Sequence, residues 1–144
     1  MENRKGCAMS DENARPQFGR LSFYEAMADV LNHDPVWGEK ARSITCSMLH
    51  IYGSPVDRTF YTNFEEGRVT EVAELPAGDD RTTDFVITGT GDSWKAVLRK
   101  EVKPTTAMAS GKLKVDGKQI YLLRNMSAFS HMLDLMTNLD PAYD

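Results

Sequence analysis

Residues 84–117 read DFVITGTGDSWKAVLRKEVKPTTAMASGKLKVDG, and the changes of pattern along this stretch decide the expected fold. Alternating apolar side chains predict a strand over residues 83–88, which ends at glycines and leads into a helix carrying Trp94. Proline is frequent in the first turn of a helix, so residues 104–110 predict a second, short helix. Residues 112–115 alternate lysine with apolar side chains before an Asp-Gly turn, which predicts a further strand.

The part of the chain before this stretch predicts three more strands. A period of two begins near residue 43 and continues through residues 44–49, and an aromatic-rich strand is expected over residues 58–64. A Glu-Gly turn joins the second strand to a third, over residues 68–75. A helix with Ser22 as its N-cap is expected before them. The predicted fold class is α+β, with a five-stranded, mostly antiparallel sheet covered on one face by helices.

The last predicted helix, over residues 125–139, is marked by its methionines. Methionine is flexible and polarisable, so it fills irregular gaps in cores and also lines adaptable binding surfaces. The stripe therefore leaves two interpretations open, a helix packed on the core or a lid over a bound ligand. Its apolar residues fall at helical spacing and are Met126, Phe129, Met132, Leu133 and Met136.

Composition limits the classes of protein to which the chain can belong. Its 144 residues suit one domain, expected over residues 20–144 after a flexible polar tail at residues 1–19. A net charge of −4 and the lack of a basic stripe argue against nucleic acid as a partner. No apolar run approaches the roughly 18 residues of a membrane span, so stable membrane insertion is not expected. Cys7 and Cys46 are interpreted as free thiols, which indicates a cytoplasmic protein.

A search for catalytic or metal-binding patterns finds little. On a strand, Cys46 and His50 share a face but lie ~13 Å apart, too far to hold one zinc ion, so they are interpreted as a buried thiol and an imidazole at the rim. The turn from Gly89 to Trp94 superficially resembles a phosphate-binding loop but lacks the third glycine of a dinucleotide fingerprint. The prediction is a protein without enzymatic activity, metal or cofactor.

Three segments carry a family resemblance: residues 84–89 (DFVITG), 94–98 (WKAVL) and 104–117 (PTTAMASGKLKVDG). In this order and spacing they resemble the sterol carrier protein family, the type-two, non-specific lipid-transfer fold, and the match extends over about residues 82–136. The resemblance implies a five-stranded sheet with helices on one side. It also implies an apolar tunnel between them that accepts sterols, fatty acids or fatty acyl groups such as acyl-CoA, and no covalent chemistry by the domain itself.

The function predicted on this basis is the binding or carriage of an apolar small molecule. A rim group such as Lys112 or Arg124 is predicted to hold a carboxylate or phosphate head. The alternative is an interaction or dimerisation module, for example a homodimer, whose tunnel is filled by its own side chains. Each residue predicted to line the tunnel also has an ordinary role in a core, and the set is Phe60, Phe85, Ile87, Trp94, Met108, Phe129, Met132 and Met136.

Overall fold

The computed structural model describes residues 16–79 and 81–143, and this part of the chain has the predicted α+β fold. The strands are β1 (Cys46–Tyr52), β2 (Arg58–Glu65), β3 (Arg68–Leu75), β4 (Phe85–Gly89) and β5 (Lys114–Gly117). The helices are α1 (Leu21–His33), α2 (Pro35–Lys40), α3 (Gly91–Leu98), α4 (Pro104–Ser110), α5 (Gln119–Arg124) and α6 (Met126–Thr137).

The five strands form one sheet in the order β3-β2-β1-β4-β5. Its pairs are antiparallel except that of β1 with β4, which is parallel at the centre of the sheet. The predicted mostly antiparallel sheet is confirmed. In the register, His50 of β1 lies between Phe60 of β2 and Ile87 of β4. Residues directly opposite each other point to the same face, so these three side chains stand side by side.

The helices cover one face of the sheet, and the core lies between the two layers. α1 packs on β2 and β3, while α6 contacts α1, α2, α3, α4 and α5 and so joins the helical layer together. The period of two in β1 directs alternate side chains toward the helices, as expected. The inward-facing residues of β1 are all buried and are Cys46, Met48, His50 and Tyr52.

The start of the first helix differs from the prediction. α1 begins at Leu21 after Arg20, and no side chain caps its first turn. The hydroxyl of Ser22 instead accepts a hydrogen bond from the backbone N–H of Gln17 at 3.1 Å. The prediction of Ser22 as N-cap is therefore wrong, because a local contact with the preceding segment uses its hydroxyl.

The segment before α1 is joined to the end of the chain. Residues 1–15, most of the predicted tail, lie outside the described residues. Phe18 donates its backbone N–H to the carbonyl of Ala142 at 2.8 Å, and Ala142 donates to the carbonyl of Pro16 at 2.8 Å. These two bonds hold residues 16–18 beside the C-terminal segment.

The helix predicted over residues 125–139 is α6 (Met126–Thr137), and a separate short helix, α5, precedes it. α5 and α6 are separated at Asn125, whose backbone has φ −112° and ψ 22° and whose side-chain amide donates to the carbonyl of Tyr121 at 3.0 Å. The methionine and phenylalanine stripe stays on α6 and faces the core, while α5 has no buried residue. In the described residues no helix has the length and apolar character to cross a bilayer.

Asn32 ties α1 to the edge strand β3. Its amide donates to the carbonyl of Val69 at 3.1 Å, and its Oδ1 accepts from the N–H of Val69 at 2.8 Å. The replacement Asn32→Ala is expected to lower the free energy of unfolding by about 1–2 kcal/mol, because both bonds are lost from a partly buried site. Chemical denaturation measures this. As a control, Asn63→Ala removes an exposed amide and should change stability by no more than about 0.5 kcal/mol. Equal effects of the two replacements would contradict the role given to Asn32.

Candidate functional site

The eight predicted lining residues come together between the sheet and the helices. Seven of them are buried in one core cluster, and Met108 on α4 is partly buried against it. The fold thus gathers side chains from two strands and three helices into a single interior. The seven buried residues are Phe60, Phe85, Ile87, Trp94, Phe129, Met132 and Met136.

One end of this interior is filled by aromatic rings. Trp94 of α3 stacks on Tyr52 with ring centroids 4.5 Å apart and planes 7° from parallel, and its Nε1 donates to the carbonyl of Ile51 at 2.9 Å. Tyr24 of α1 stacks on Phe60 at 5.0 Å. Rings packed in this way are stiff, so this end of the interior has a defined shape.

α6 contributes flexible side chains to the same interior. Met132 and Met136 are buried, and Phe129 meets Phe85 of β4 edge-on with ring centroids 5.6 Å apart. Methionine has three rotatable bonds and adapts to irregular shapes. These methionines can therefore repack more readily than the stacked rings.

His50 is the polar residue at the centre of the interior. It is 0% exposed, and its Nε2 lies 3.0 Å from the hydroxyl of the equally buried Thr62. Its Nδ1 has no hydrogen-bond partner among the described residues. Burial lowers the pKa of His50 to about 3, so the imidazole is neutral near pH 7. The sequence-based interpretation of a rim imidazole is wrong; the period of two, which places His50 on the face of Met48, was the signal that favoured a buried position.

Two buried tyrosines and a buried cysteine complete the polar groups of the interior. The hydroxyls of Tyr24 and Tyr52 hydrogen bond to each other at 2.8 Å, and burial raises the pKa of both well above the ordinary value. Burial, with a smaller contribution from Asp84, raises the pKa of the Cys46 thiol to about 12. All three groups therefore stay protonated near neutral pH.

A cleft of about 510 Å³ opens between α6 and the segment that joins α3 to α4. Its apolar wall consists of Val97, Val102 and Pro104, with Lys100 and Lys103 among its other residues. Val97 is 1% exposed and also belongs to the core cluster of Trp94 and Met132. The floor of this cleft is thus the core itself.

The other sequence features lie away from this cleft. Lys112 lines a separate depression beside the end of β4, and Arg124 is exposed at the end of α5. In the turn from Gly89 to Trp94, the N–H of Gly91 donates to the carbonyls of Gly53 and Ser54, and that of Ser93 to the hydroxyl of Thr90. These bonds indicate a structural strand-to-helix turn. Across residues 16–79 and 81–143, no three acidic, histidine or cysteine side chains converge as metal ligands would.

Comparison with known proteins gives the class of this domain. The family model described as the SCP-2 sterol transfer family matches residues 28–130. A crystal structure of sterol carrier protein 2 superposes with a TM-score of 0.73 at 16% identity, covering 84% of this chain and 98% of that one. A Thermus thermophilus protein described as possibly a sterol carrier protein gives 0.72 at 17% identity, covering 90% and 92%. No curated protein matches the sequence.

A third similar structure shows the same fold inside a larger chain. It belongs to a sec-alkyl sulfatase, with a TM-score of 0.53 and 14% identity over 74% of this chain but only 16% of the sulfatase. The family model covers well over half of the 144 residues. The chain belongs to the SCP-2 sterol transfer family, a family of lipid-binding and lipid-transfer domains, as the motifs in residues 84–117 predicted.

Proposed function

We propose that this domain binds and carries an apolar ligand (a sterol, fatty acid or fatty acyl group) between its sheet and helices, without covalent chemistry. The observation that carries the proposal is the apolar cleft between α6 and the α3–α4 segment, whose floor at Val97 is part of the core. A volume of about 510 Å³ lies within the range of roughly 300–1,000 Å³ that small-molecule pockets occupy. Burial of the ligand's apolar surface, at about 25 cal/mol per Å², supplies most of the affinity.

The ligand reaches the predicted lining residues by repacking of the methionines of α6. Met132 and Met136 belong to the same core cluster as Val97, which lines the cleft. Their rotation lets a chain-like or planar ligand extend from the cleft toward Phe85, Ile87 and the edge of Trp94. The stiff rings around Tyr52 then limit how far the ligand enters.

The proposal of a non-catalytic domain is supported by the protonation states of the interior groups. A nucleophile or general base works best with a pKa near the working pH. The thiol of Cys46 and the hydroxyls of Tyr24 and Tyr52 have raised pKa values, so none of them is activated. The free thiol of Cys46 also agrees with a reducing, cytoplasmic location.

The alternative function, an interaction or homodimerisation module with a filled interior, is favoured by a different observation. Ile120 and Leu123 lie three residues apart on α5 and are 70% and 69% exposed. Large exposed apolar side chains on one helix face are typical of contact surfaces. Under this alternative the methionines of α6 plug the interior permanently.

Mass spectrometry of organic extracts from the purified protein separates the two functions. A carrier is expected to retain lipid in the extract and to gain thermal stability when fatty acids or sterols are added. A filled interaction module is expected to give neither result and to form a dimer in light scattering. An empty extract together with no thermal shift would reject the carrier.

A bulky substitution in the cleft tests where the ligand enters. Thr105 is an exposed residue of α4 that lines the cleft, so Thr105→Trp should weaken lipid binding about tenfold by filling the space, with little change in Tm. The matched control is Thr70→Trp, an exposed threonine in a depression beside β2 and β3. Titrations with a fluorescent fatty acid measure both variants. Unchanged binding in Thr105→Trp, or an equal loss in Thr70→Trp, would contradict entry at this cleft.

A further inference from the structure

A second cavity opens where residues 16–18 lie beside the C-terminal segment. It has a volume of about 390 Å³ and is formed by the segment before α1, the loop after β1, the first turns of α3 and the side chain of Tyr143. It shares no lining residue with the apolar cleft between α6 and the α3–α4 segment. A ligand of this cavity therefore occupies a separate site.

The described residues that line this cavity include three cations and one carboxylate. The cations are Arg20, Arg58 and Lys95, and the carboxylate is that of Asp92. Arg58 pairs through Nη1 with Glu74 at 3.0 Å, so its charge is already balanced. Within the described part of the chain, neither Arg20 nor Lys95 forms a salt bridge with a carboxylate. In a chain of net charge −4, the cavity is thus a local excess of positive charge.

Lys95 is a partly desolvated cation without a carboxylate partner. It is half-buried, whereas the other lysines in the described part of the chain are exposed. Its Nζ lies 6.0 Å from the centroid of the Phe18 ring and 5.8 Å from that of the Tyr143 ring. These distances are near the outer limit of cation–π attraction, so the rings compensate the ammonium only in part. An anion in the cavity supplies the pairing that a partly buried charge requires.

The side chains, and not the start of α3, give the cavity its affinity for an anion. The backbone N–H groups of Gly91 and Ser93 are used by acceptors within the protein. Asp92 opposes an anion, but its side chain is exposed and its charge is weakened by water and salt. The balance of the charges therefore favours an anion held by Arg20 and Lys95.

We propose that this cavity is a binding site for a small phosphate monoester, whose phosphoryl group pairs with Arg20 and Lys95. Such a group carries a charge of about −1.5 to −2 near pH 7, which matches two cations without carboxylate partners. A guanidinium also binds phosphate oxygens through two parallel N–H donors. The organic part of the ligand rests on the apolar wall, which includes Pro55 and Val56. A volume of about 390 Å³ is typical of small-molecule pockets, roughly 300–1,000 Å³, and leaves room for that part.

Isothermal titration calorimetry of the full chain with phenyl phosphate tests the site. Lys95→Met, which keeps an apolar stem but lacks the charge, and Arg20→Gln are each expected to raise Kd about tenfold. Asp92→Asn removes the like charge and should lower Kd about twofold. The matched control is Lys112→Met, an exposed lysine of a separate depression, which should leave Kd unchanged. Unchanged binding in Lys95→Met and Arg20→Gln, or an equal loss in Lys112→Met, would overturn the inference.

Three probes compared on the wild-type chain test the class of ligand. Inorganic phosphate lacks the organic part, and benzenesulfonate has the same ring but a single charge. We expect each of them to bind about fivefold or more weakly than phenyl phosphate. Equal affinity for either one would overturn the assignment of a phosphate monoester.

The outcome for this cavity is independent of the outcome for lipid carriage. Lipid extraction and the fatty-acid titrations of Thr105→Trp report on the apolar cleft, which has a different lining. A wild-type chain that binds fatty acids but not phenyl phosphate would overturn the inference and leave the proposed function standing. Binding of phenyl phosphate without any lipid would reject the carrier and support the phosphate site.

Discussion

The replacement Trp94→Ala is expected to lower the free energy of unfolding by about 4 kcal/mol. Truncating a buried tryptophan or phenylalanine to alanine typically costs about 3–5 kcal/mol, through lost transfer free energy and the cavity that remains. Trp94 is 0% exposed, stacks on Tyr52 and donates from Nε1 to the carbonyl of Ile51. Native domains are stable by only about 5–15 kcal/mol, so this change leaves a marginal fold.

Two controls separate packing from the hydrogen bond of Trp94. Trp94→Phe keeps an aromatic ring against Tyr52 but lacks the N–H, and we expect it to cost about half as much as the alanine variant. Ile120→Ala truncates a side chain that is 70% exposed and should change stability by no more than about 0.5 kcal/mol. Urea unfolding followed by circular dichroism measures all three. A loss below about 2 kcal/mol in Trp94→Ala would show that the aromatic end of the interior is looser than its geometry indicates.

Acidification is the second strong perturbation, and it acts through His50. Burial lowers the pKa of this imidazole to about 3 in the folded state, whereas in the unfolded chain it is about 6.5. Below about pH 6.5 the imidazole therefore binds a proton in the unfolded state but not in the folded state. The contribution of the neutral imidazole to the free energy of unfolding is fully present above about pH 6.5. It falls by up to about 1.4 kcal/mol per pH unit as the pH drops toward about 3.

Measuring the free energy of unfolding at about pH 6.5 and at about pH 4.5 isolates this contribution. It should decrease by about 2–3 kcal/mol over the interval. Two carboxylates also have lowered pKa values: Asp34 through its hydrogen bond with His131, and Asp84 through the bond it accepts from the backbone of Ser47. Their contributions to the free energy of unfolding are lost mainly below about pH 4. His50→Phe should reduce the difference in the free energy of unfolding between the two pH values by that amount. The same pH dependence in wild type and His50→Phe would contradict the assignment.

These two perturbations bear differently on the proposed lipid carriage. Trp94 and Tyr52 stack in the aromatic part of the interior, which we propose limits the depth of the site. His50 lies between Phe60 of β2 and Ile87 of β4. Under the proposed function the interior must repack without unfolding, which flexible methionines such as those of α6 would allow.

Much of the local structure was predictable because it depends on short patterns. The third strand and the short helix after Pro104 have the predicted bounds, and Gly111 ends that helix in the left-handed region at φ +85°. A glycine is favoured there since the left-handed region is strained for other residues. The last helix, predicted over residues 125–139, corresponds to α6, because its apolar spacing is a local pattern.

The candidate site was only partly predictable. The interior position of the apolar residues in the predicted lining set was predictable, because inward-facing positions repeat every second residue in strands and at helical spacing in helices. His50 was missed as a buried residue, since a histidine in a strand is compatible with a rim or a core position until the neighbouring strands are known. The cleft at Val97 and Val102 was also missed, because it is formed by segments that are distant in the sequence.

The sequence by itself determined the α+β class, the order of the elements and the family, because periodicity, turn residues and motif spacing are local properties of the chain. Only the tertiary structure decided that β4 pairs in parallel with β1, that Tyr52 and Trp94 stack, and that His50 stands between Phe60 and Ile87 with an unpartnered Nδ1 among the described residues. Such contacts join residues far apart in the chain. Their geometry follows from how the two layers pack, and no local pattern encodes that arrangement.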